Sequence, residues 1–320
     1  MGDRLIMVDI SVIIVSWNAR YFLLKCLESL YREQTAHSIE LIVVDNASSD
    51  GSPEAVKENY PEAILIQNET NLGFAKANNI GLQKSKGQYL YLINSDVEVL
   101  EGTIDRLHDF MGANPQIGMA GPRILYPDET LQVTCRKFPS LWNNFCSAVG
   151  LNKIFPSNDL VSSDQMFYFN HETIRSVDVL AGCFLSVRRE AMNKVGLFDE
   201  RFFIYSEDID WCKRFWNADW EIVFFPEAEA IHYGGGSSSN SPLRFSLERE
   251  RAMIQYWQKH HSILTITSFL LILFLRHLSR LLWNVFLYVV KPSKKSKAIH
   301  KIKQNIAGIK LIFSYKHHNN

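Results

Sequence analysis

The chain has 320 residues, 47% of them hydrophobic, which is enough for one large globular domain and a smaller appendage. Its formal net charge of +0 hides a split: no Asp or Glu follows Glu250, whereas twelve Lys or Arg do, which leaves 22 of the 34 basic residues against 34 acidic ones before that point. A body this acidic excludes nucleic acid as the main partner, because phosphate contacts need clustered Lys and Arg.

The first hundred residues alternate short β-type runs with helical patterns. The runs begin at Ser11, Leu41, Ala63 and Tyr89, and the helical patterns between them cover residues 21–31, 52–59 and 74–84. Such alternation predicts an α/β fold with a mainly parallel central sheet flanked by helices. Ligands of such sheets bind at the carboxyl ends of the strands, where this chain places polar residues: Asn18, Asp45, Asn68 and the triplet Asn94-Ser95-Asp96.

The triplet Asn94-Ser95-Asp96 directly follows a hydrophobic strand. A carboxylate there can hold a divalent cation together with a diphosphate, because Mg²⁺ takes one or two protein carboxylates and fills its other positions with phosphate and water. The ordinary alternative for such a triplet is a turn or a helix cap.

Residues 121–177 follow no clear period and carry four prolines, which predicts an insertion that crosses the sheet edge. A second ordered stretch then runs from Val179 through a short helix near Glu190 to a strand from Glu221. His232 ends that strand and enters a Gly/Ser segment, residues 234–239, that we predict to be a mobile loop. Its imidazole can complete a metal site or contact a phosphate, although a lone histidine is more often a packed residue.

Between these elements, the segment Gly196–Arg214 sets three carboxylates among aromatic residues. Helical spacing places Asp210 four residues before Arg214, which predicts an ion pair. Asp208 has no such partner by spacing and is the candidate general base, with Glu207 as the second candidate. The sequence does not decide between these two.

The C-terminal tail combines two apolar runs, 263–275 and 281–290, with a lysine-rich end. Neither run reaches the roughly 20 residues that span a bilayer, whereas one continuous helix would suit an interfacial or re-entrant position. Lysines there would attract anionic lipids. The alternative is a helical hairpin packed against the body or a partner subunit. We expect a tail over residues 261–320, appended to a domain over residues 1–260, that associates with the inner-membrane surface.

The five cysteines lack C-x-x-C spacing and the density of a disulfide framework, which predicts reduced thiols in a cytosolic compartment. Together with the tail, this places the protein at the cytoplasmic face of the cell membrane, as a peripheral or re-entrant protein.

Six motifs in this order carry a family resemblance: SVIIVSWN, VVDNASSDGS, NLGFAKANNIGL, YLINSDVEV, LAGCFLSVRREAMNKVGLFDERFFIYSEDIDWCKR and AIHYGGGSS. From about Asp9 to His260 the chain resembles the family 2 inverting glycosyltransferases with the GT-A fold, especially their bacterial rhamnosyltransferase-like members. The resemblance implies that Asp45, Ser16 and Asn18 line the nucleotide pocket. It also implies that Gly73 and Asn79 belong to the segment that closes over the nucleotide.

The resemblance further implies that Asp96 ends a DXD-type metal site in which Asn94 stands where the motif has Asp. His232 would be the additional ligand of Mg²⁺ or Mn²⁺, and Asp208 the base that deprotonates the acceptor hydroxyl. The implied reaction is a single inverting displacement that moves a sugar, expected to be L-rhamnose from dTDP-rhamnose, to a lipid-linked or polysaccharide acceptor in cell-surface polysaccharide biosynthesis.

Alternative functions remain open at this point. A UDP-hexose donor would keep the reaction and change the sugar. A nucleotidyltransferase would need a Gly-rich loop after the first strand, where this chain has Ser16-Trp17-Asn18, and no G-x-G-x-x-G supports an oxidoreductase. A non-catalytic nucleotide-sugar-binding or membrane scaffold protein is the alternative of another class.

Overall fold

The computed structural model describes residues 8–234, 242–291, 293 and 295–314, so most of the predicted Gly/Ser loop, residues 235–239, lies outside the described residues. The chain forms two compact units. Unit 1 comprises Met1–Phe138 and Phe169–Asn240, and unit 2 comprises Pro139–Tyr168 and Ser241–Asn320.

The elements follow one another along the chain in this order. The amino-terminal half contains β1 (Ile10–Ser16), α1 (Arg20–Arg32), β2 (Ile39–Asp45), α2 (Ser52–Asn59), β3 (Ile64–Gln67), α3 (Phe74–Lys84), β4 (Tyr89–Asn94), β5 (Val97–Val99), α4 (Thr103–Ala113), β6 (Ile117–Leu125), β7 (Leu131–Gln132), β8 (Cys135–Arg136), α5 (Leu141–Val149) and α6 (Leu151–Ile154). The remainder contains a 3₁₀ turn (Ser163–Gln165), β9 (Arg175–Ser176), β10 (Val179–Leu180), β11 (Phe184–Arg188), α7 (Arg189–Val195), α8 (Glu207–Asn217), β12 (Glu221–His232), α9 (Pro242–His260), α10 (Ile263–Val290) and α11 (Lys295–Ser314).

The central sheet of unit 1 has the strand order β3-β2-β1-β4-β11-β6-β12-β5. Strands β1 to β4 are mutually parallel, β11 runs antiparallel to both of its neighbours, and β6 and β12 are again parallel. The first four strands are rich in Ile, Val and Leu, which suits strands covered by helices on both faces. The predicted α/β fold with a central sheet and flanking helices is thus confirmed.

The register of this sheet aligns the polar residues that end its strands. Ser16 pairs with Asp45 across β1 and β2, and Val15 pairs with Asn94 across β1 and β4. Hydrophobic residues before these positions are buried and fix the register, because a slip by one residue would turn them away from the core. The buried strands therefore deliver three polar ends to one edge.

The region predicted as one insertion divides between the units. Residues 121–138 and 169–177 contribute the end of β6 and the two-residue strands β7, β8 and β9 to unit 1, whereas residues 139–168 belong to unit 2 with α5 and α6. Two-residue strands are too short to show a period, so their pattern resembled that of a loop.

Unit 2 is built around α10, which is one continuous helix of 28 residues rather than two apolar runs. The basic residues in its middle do not interrupt it, because they bind polar groups of neighbouring helices. Arg276 and His277 each donate to Glu250 of α9 at 3.0 Å, and His277 Nδ1 lies 3.1 Å from Asn305 Oδ1 of α11. Packing thus joins α9 to the tail, while the functional division at residue 260 stays a prediction.

By length and composition alone, α10 is the one helix in the described part of the chain that is long and apolar enough to cross a membrane.

Helix α8 carries the acidic cluster and is fixed by a buried ion pair. Arg214 Nε donates to Asp210 Oδ2 at 2.9 Å, and its other nitrogens donate to the carbonyls of Val195 and Leu197, which confirms the predicted pairing. The Asp210 side chain is fully buried. The same arginine therefore neutralises a buried carboxylate and ties α8 to the loop that precedes it.

We expect Arg214→Met to lower the free energy of unfolding by about 3 kcal/mol, because it removes the cation beside a buried carboxylate. Urea denaturation measures this change. Arg201→Met is the matched control, since Arg201 is an exposed arginine paired with Asp199 and its loss should change stability little. Equal effects of the two substitutions would contradict the importance of the buried pair.

Candidate active site

Three strand ends present buried polar atoms at the carboxyl edge of the sheet. Ser16 Oγ, Asp45 Oδ1 and Asn94 Oδ1 have no hydrogen-bond partner among the described residues. An unsatisfied buried polar atom costs about 1–3 kcal/mol, so three at one edge indicate a site that a polar ligand completes. The structure thus brings together Ser16 and Asp45, which the resemblance assigns to the nucleotide pocket, and Asn94 of the DXD-type motif.

The loops after β1 and β2 form a single wall beside these strand ends. Asn18, which has a positive φ of 49°, accepts a hydrogen bond on Oδ1 from the backbone of Ser49 at 2.8 Å, and its own backbone N–H donates to Ser48 Oγ at 2.9 Å. The backbone of Ser48 in turn donates to Asp45 Oδ2 at 2.9 Å. Asn18 therefore lies next to Asp45 because the two loops are hydrogen-bonded to each other.

Asp96 and His232 lie next to each other where β5 pairs with β12, just after the end of β4. His232 Nε2 lies 3.2 Å from Asp96 Oδ1, although the two residues are distant in sequence. Strand β12 pairs with β5 so that His232 stands opposite Val97, which puts the ring beside the Asp96 carboxylate. The backbone N–H of Tyr233 also donates to the Asp96 carbonyl at 2.9 Å.

This pair has the donor set and the spacing of a divalent metal site. Two adjacent ligands of an octahedral ion, each about 2.1 Å from it, lie about 3.0 Å apart, close to the observed 3.2 Å. His232 Nδ1 lies 2.7 Å from Gln132 Oε1, which can accept its proton and leave the Nε2 lone pair directed at Asp96. Two electron-pair donors that face each other fit a cation between them.

Asp208 is tied to the same region through the residues that precede β11. Its Oδ2 accepts a hydrogen bond from the backbone of Gly182 at 3.1 Å. The next residue, Cys183, accepts one on its carbonyl from the backbone of Asn94 at 2.9 Å. The backbone of Gly182 and Cys183 therefore connects the Asp208 carboxylate to the strand end that leads into Asp96.

Glu207 differs from Asp208 although the two are adjacent. Glu207 is buried, and its Oε2 has no hydrogen-bond partner among the described residues, whereas Asp208 is half-buried and accepts two backbone hydrogen bonds. Burial, with a smaller contribution from the charge of Asp208, raises the pKa of the Glu207 carboxyl well above its usual range. The structure thus separates two carboxylates that the sequence left equivalent.

Gly73 and Asn79 contact the segment that leads into α8. Gly73 has a φ of +86°, and a Cβ there would lie 2.4 Å from the carbonyl oxygen of Phe203. The Asn79 amide donates to the Phe198 carbonyl and to Glu200, and its oxygen accepts from the Phe198 backbone. These contacts place both residues as supports of residues 198–203, and Asn79 is not brought to the strand ends.

Three residues that support the site were not predicted from the sequence. Gln132 orients His232, Gly182 binds Asp208, and Tyr233 donates its hydroxyl proton to Glu98 on β5 at 2.8 Å. Gly182 and Tyr233 stand within the quoted motifs LAGCFLSV and AIHYGGGSS, which was an available signal. Gln132 lies in the region without a clear period, where no local pattern marks it.

Solved protein structures share this fold. A mannosyltransferase of Pyrobaculum calidifontis in complex with GDP-Man and Mn²⁺ superposes with a TM-score of 0.55, at 16% identity, over 96% of this chain and 88% of that one. The TarS protein of S. aureus, residues 1–349, gives a TM-score of 0.51 at 17% identity over 94% of this chain and 81% of that one. These likenesses establish the GT-A fold that the motifs implied.

Proteins of similar sequence identify the family. An N-acetylglucosaminyl-diphospho-decaprenol L-rhamnosyltransferase of Mycobacterium tuberculosis is 30% identical over 239 residues, covering 71% of this chain and 77% of that protein. The rhamnosyltransferase WbbL of Escherichia coli strain K12 is 28% identical over 69% of this chain and 82% of that protein. The profile of Glycosyl transferase family 2 matches residues 11–196. The chain therefore belongs to glycosyl transferase family 2 and is a glycosyltransferase.

Proposed function

We propose that this enzyme transfers L-rhamnose from dTDP-rhamnose to a lipid-linked glycan at the cytoplasmic face of the cell membrane, in cell-surface polysaccharide synthesis. The observation that carries the reaction is the connection of Asp96, His232 and Asp208 through the backbone of Gly182 and Cys183. The sugar and the lipid-linked acceptor are supported by the activities named for the two bacterial relatives.

The nucleotide of the donor binds at the carboxyl edge of β1, β2 and β4 in this proposal. Ser16, Asp45 and Asn94 offer unpaired polar atoms there, and Asn18 holds the adjoining loop in place. Gly73 and Asn79 contribute indirectly, because they hold residues 198–203. Their assignment as nucleotide contacts stays a prediction.

Asp96 and His232 would hold a divalent cation, Mg²⁺ or Mn²⁺, and a solved transferase of the same fold contains Mn²⁺ with its donor. When bound, such an ion offsets the negative charge that develops on the departing nucleoside diphosphate. Gln132 keeps the His232 ring in the tautomer and orientation that ligation requires.

Asp208 acts as the general base. Its carboxylate removes the proton of the acceptor hydroxyl while that oxygen forms a bond to the anomeric carbon of the sugar. The bond from that carbon to the diphosphate oxygen breaks on the opposite face, and the electron pair leaves with the nucleoside diphosphate. One displacement inverts the anomeric centre, and no enzyme nucleophile is required.

Glu207 is the weaker candidate for this role. Its raised pKa keeps it protonated to a higher pH than an exposed glutamate, and a protonated carboxyl cannot accept the acceptor proton. Asp208 is half-buried, and its carboxylate accepts hydrogen bonds from Gly182 N–H and from its neighbour Ile209 N–H, which fix its position. We therefore assign the proton transfer to Asp208.

Association with the inner-membrane surface is proposed for the tail. Helix α10 is apolar, and the chain after Glu250 contains twelve basic and no acidic residues. Such a combination is attracted to anionic lipids and brings the enzyme to a lipid-linked acceptor.

Incubation of the purified protein and Mg²⁺ with membranes and a panel of radiolabelled nucleotide sugars tests the proposed donor. We expect label to move to the lipid fraction from dTDP-rhamnose. Transfer from UDP-hexoses alone would overturn the rhamnose assignment and leave the transferase reaction intact. A failure of every donor, with native acceptor present, would favour a binding or scaffold protein.

The isosteric substitutions Asp208→Asn and Glu207→Gln distinguish the two carboxylates. We expect Asp208→Asn to reduce kcat by about 10³-fold with donor affinity unchanged, because it removes the base alone. Glu207→Gln resembles the protonated form and should reduce kcat by less than about tenfold. Single-turnover kinetics and calorimetric titration of the donor measure both quantities. The reverse order of effects would assign the base to Glu207.

Gln132→Leu tests the support of the metal ligand. We expect the Mn²⁺ concentration for half-maximal activity to rise about tenfold, with kcat recovered at saturating metal, because His232 loses its orienting partner. Gln67→Leu is the control, since Gln67 is an exposed glutamine at the end of β3 that bonds to Lys57. An unchanged metal dependence in Gln132→Leu, with His232→Ala impaired, would show that Gln132 does not orient the ring.

A further inference from the structure

Exposed apolar side chains are concentrated in unit 2. Of the twenty-five large hydrophobic side chains that are exposed among the described residues, four belong to unit 1, namely Tyr21, Tyr31, Tyr126 and Ile174. The remaining twenty-one belong to unit 2, which is the smaller unit. Isolated exposed apolar residues are ordinary, but a concentration of this kind marks an interaction surface.

Helix α10 presents an apolar stripe along its whole length. Its members recur at intervals of three, four or seven residues and are therefore on one face of the helix. They are Leu264, Leu271, Leu275, Leu282, Phe286 and Val289, all exposed. Arg276 and His277 bind Glu250 of α9, and Arg276 also lines the groove beside Leu275 and Leu282. The exposed Arg280 follows Arg276 by four residues and therefore shares its side of the helix. The stripe itself contains no charged residue.

The internal segment 139–168 adds to this stripe. Trp142, Phe145 and Val149 are exposed on one face of α5, and Ile154 and Phe155 continue the apolar surface through α6. A groove of about 480 Å³ between α5 and α10 is lined by Phe145 and Val149 on one side and Leu275 and Leu282 on the other. The exposed faces of α5 and α10 are therefore continuous.

The basic charges near this surface lie on α11. The segment 139–168 contains three charged residues, one basic and two acidic, Lys153, Asp159 and Asp164. Helix α11 packs on α10 and exposes the apolar residues Ile299, Ile306 and Phe313. Its exposed charged side chains are all basic: Lys295, Lys297, Lys301, Lys303 and Lys310. An apolar surface beside exposed charges that are all basic fits a lipid surface with negative headgroups better than it fits a second protein.

We propose that the segment 139–168 is a second membrane-contacting element and that α10 lies along the membrane surface with it, both facing the acyl chains of an anionic phospholipid bilayer. This inference rests on the membrane association proposed for the tail. The membrane association proposed above concerns the tail alone. The present inference adds the internal segment 139–168 to the same membrane-contacting surface and sets the axis of α10 parallel to the bilayer plane.

A helix α10 that crossed the bilayer is incompatible with its neighbours. Residues 272–282, in the middle of α10, pack against α5, so a crossing helix would draw α5 and its connecting loops into the hydrocarbon. Backbone groups of loops find no partners there. The Arg276–Glu250–His277 cluster would also lie near the bilayer centre, where charged groups are costly. If α10 lies along the membrane surface, the Arg276–Glu250–His277 cluster stays on the aqueous side of the interface.

Cysteine labelling of the full-length protein in oriented membrane vesicles tests the orientation. Ser262→Cys and Lys291→Cys flank α10, and Ile174→Cys on unit 1 reports the cytoplasmic side; the five native cysteines are buried. We expect a membrane-impermeant maleimide to label all three variants in inverted vesicles and none in right-side-out vesicles. Labelling of Ser262→Cys and Lys291→Cys from opposite sides would show a crossing helix and overturn the inference.

The double variant Trp142→Ser/Phe145→Ser tests the insertion. We expect about a tenfold or greater fall in its partition onto phosphatidylglycerol-containing vesicles in flotation assays, because two large apolar side chains no longer enter the lipid. Tyr126→Ser/Ile174→Ser removes two exposed apolar residues from unit 1 and should bind as the wild type does. Circular dichroism melting verifies that both variants are folded.

Unchanged partition of Trp142→Ser/Phe145→Ser would overturn the role of the insertion. A wild-type dimer that this variant converts to a monomer, with vesicle binding unchanged, would instead assign the face to a second copy of the chain. Transfer to detergent-solubilised acceptor reports on the proposed function separately. Retained transfer together with unchanged partition would reject this inference and leave the proposed function standing.

Discussion

The site depends on two hydrogen bonds made by adjacent backbone groups. Gly182 N–H binds the Asp208 carboxylate, and the Cys183 carbonyl binds the backbone N–H of Asn94, two residues before Asp96. Because both bonds use the main chain at positions 182 and 183, they tie the proposed base Asp208 to the strand end that leads into the proposed metal ligand Asp96.

The surrounding fold tolerates an unfavourable cluster of groups because neighbouring interactions offset it. Ser16, Asp45 and Asn94 keep buried polar atoms without partners, and Glu207 is buried next to the charge of Asp208. Each of these costs stability in the absence of ligand. The Asp210–Arg214 pair and the hydrogen bonds of Asn79 hold the loop between α7 and α8 in place beside these groups. We propose that a nucleotide sugar completes the polar atoms that the strand ends leave without partners.

Much of the fold followed from the sequence because its signals are local. Alternating strands and helices predicted the sheet, and the four-residue spacing of Asp210 and Arg214 predicted their pair. Contacts between residues distant in sequence could not be predicted. Gln132, on the two-residue strand β7, contacts His232, which lies 100 residues later in the chain. The sequence left open whether α10 is one helix or two runs, because Arg276 and His277 look like an interruption until Glu250 is seen beside them. The choice between Glu207 and Asp208 likewise required burial, which adjacent residues in a sequence do not reveal.

A crystal structure of the enzyme with dTDP-rhamnose and Mn²⁺, with the metal located by its anomalous scattering, tests the proposed site most directly. We expect one strong peak bonded to a carboxylate oxygen of Asp96 and to Nε2 of His232, with the rhamnose ring between that peak and the Asp208 carboxylate. A metal peak bound elsewhere, or a sugar whose anomeric carbon faces away from Asp208, would contradict it.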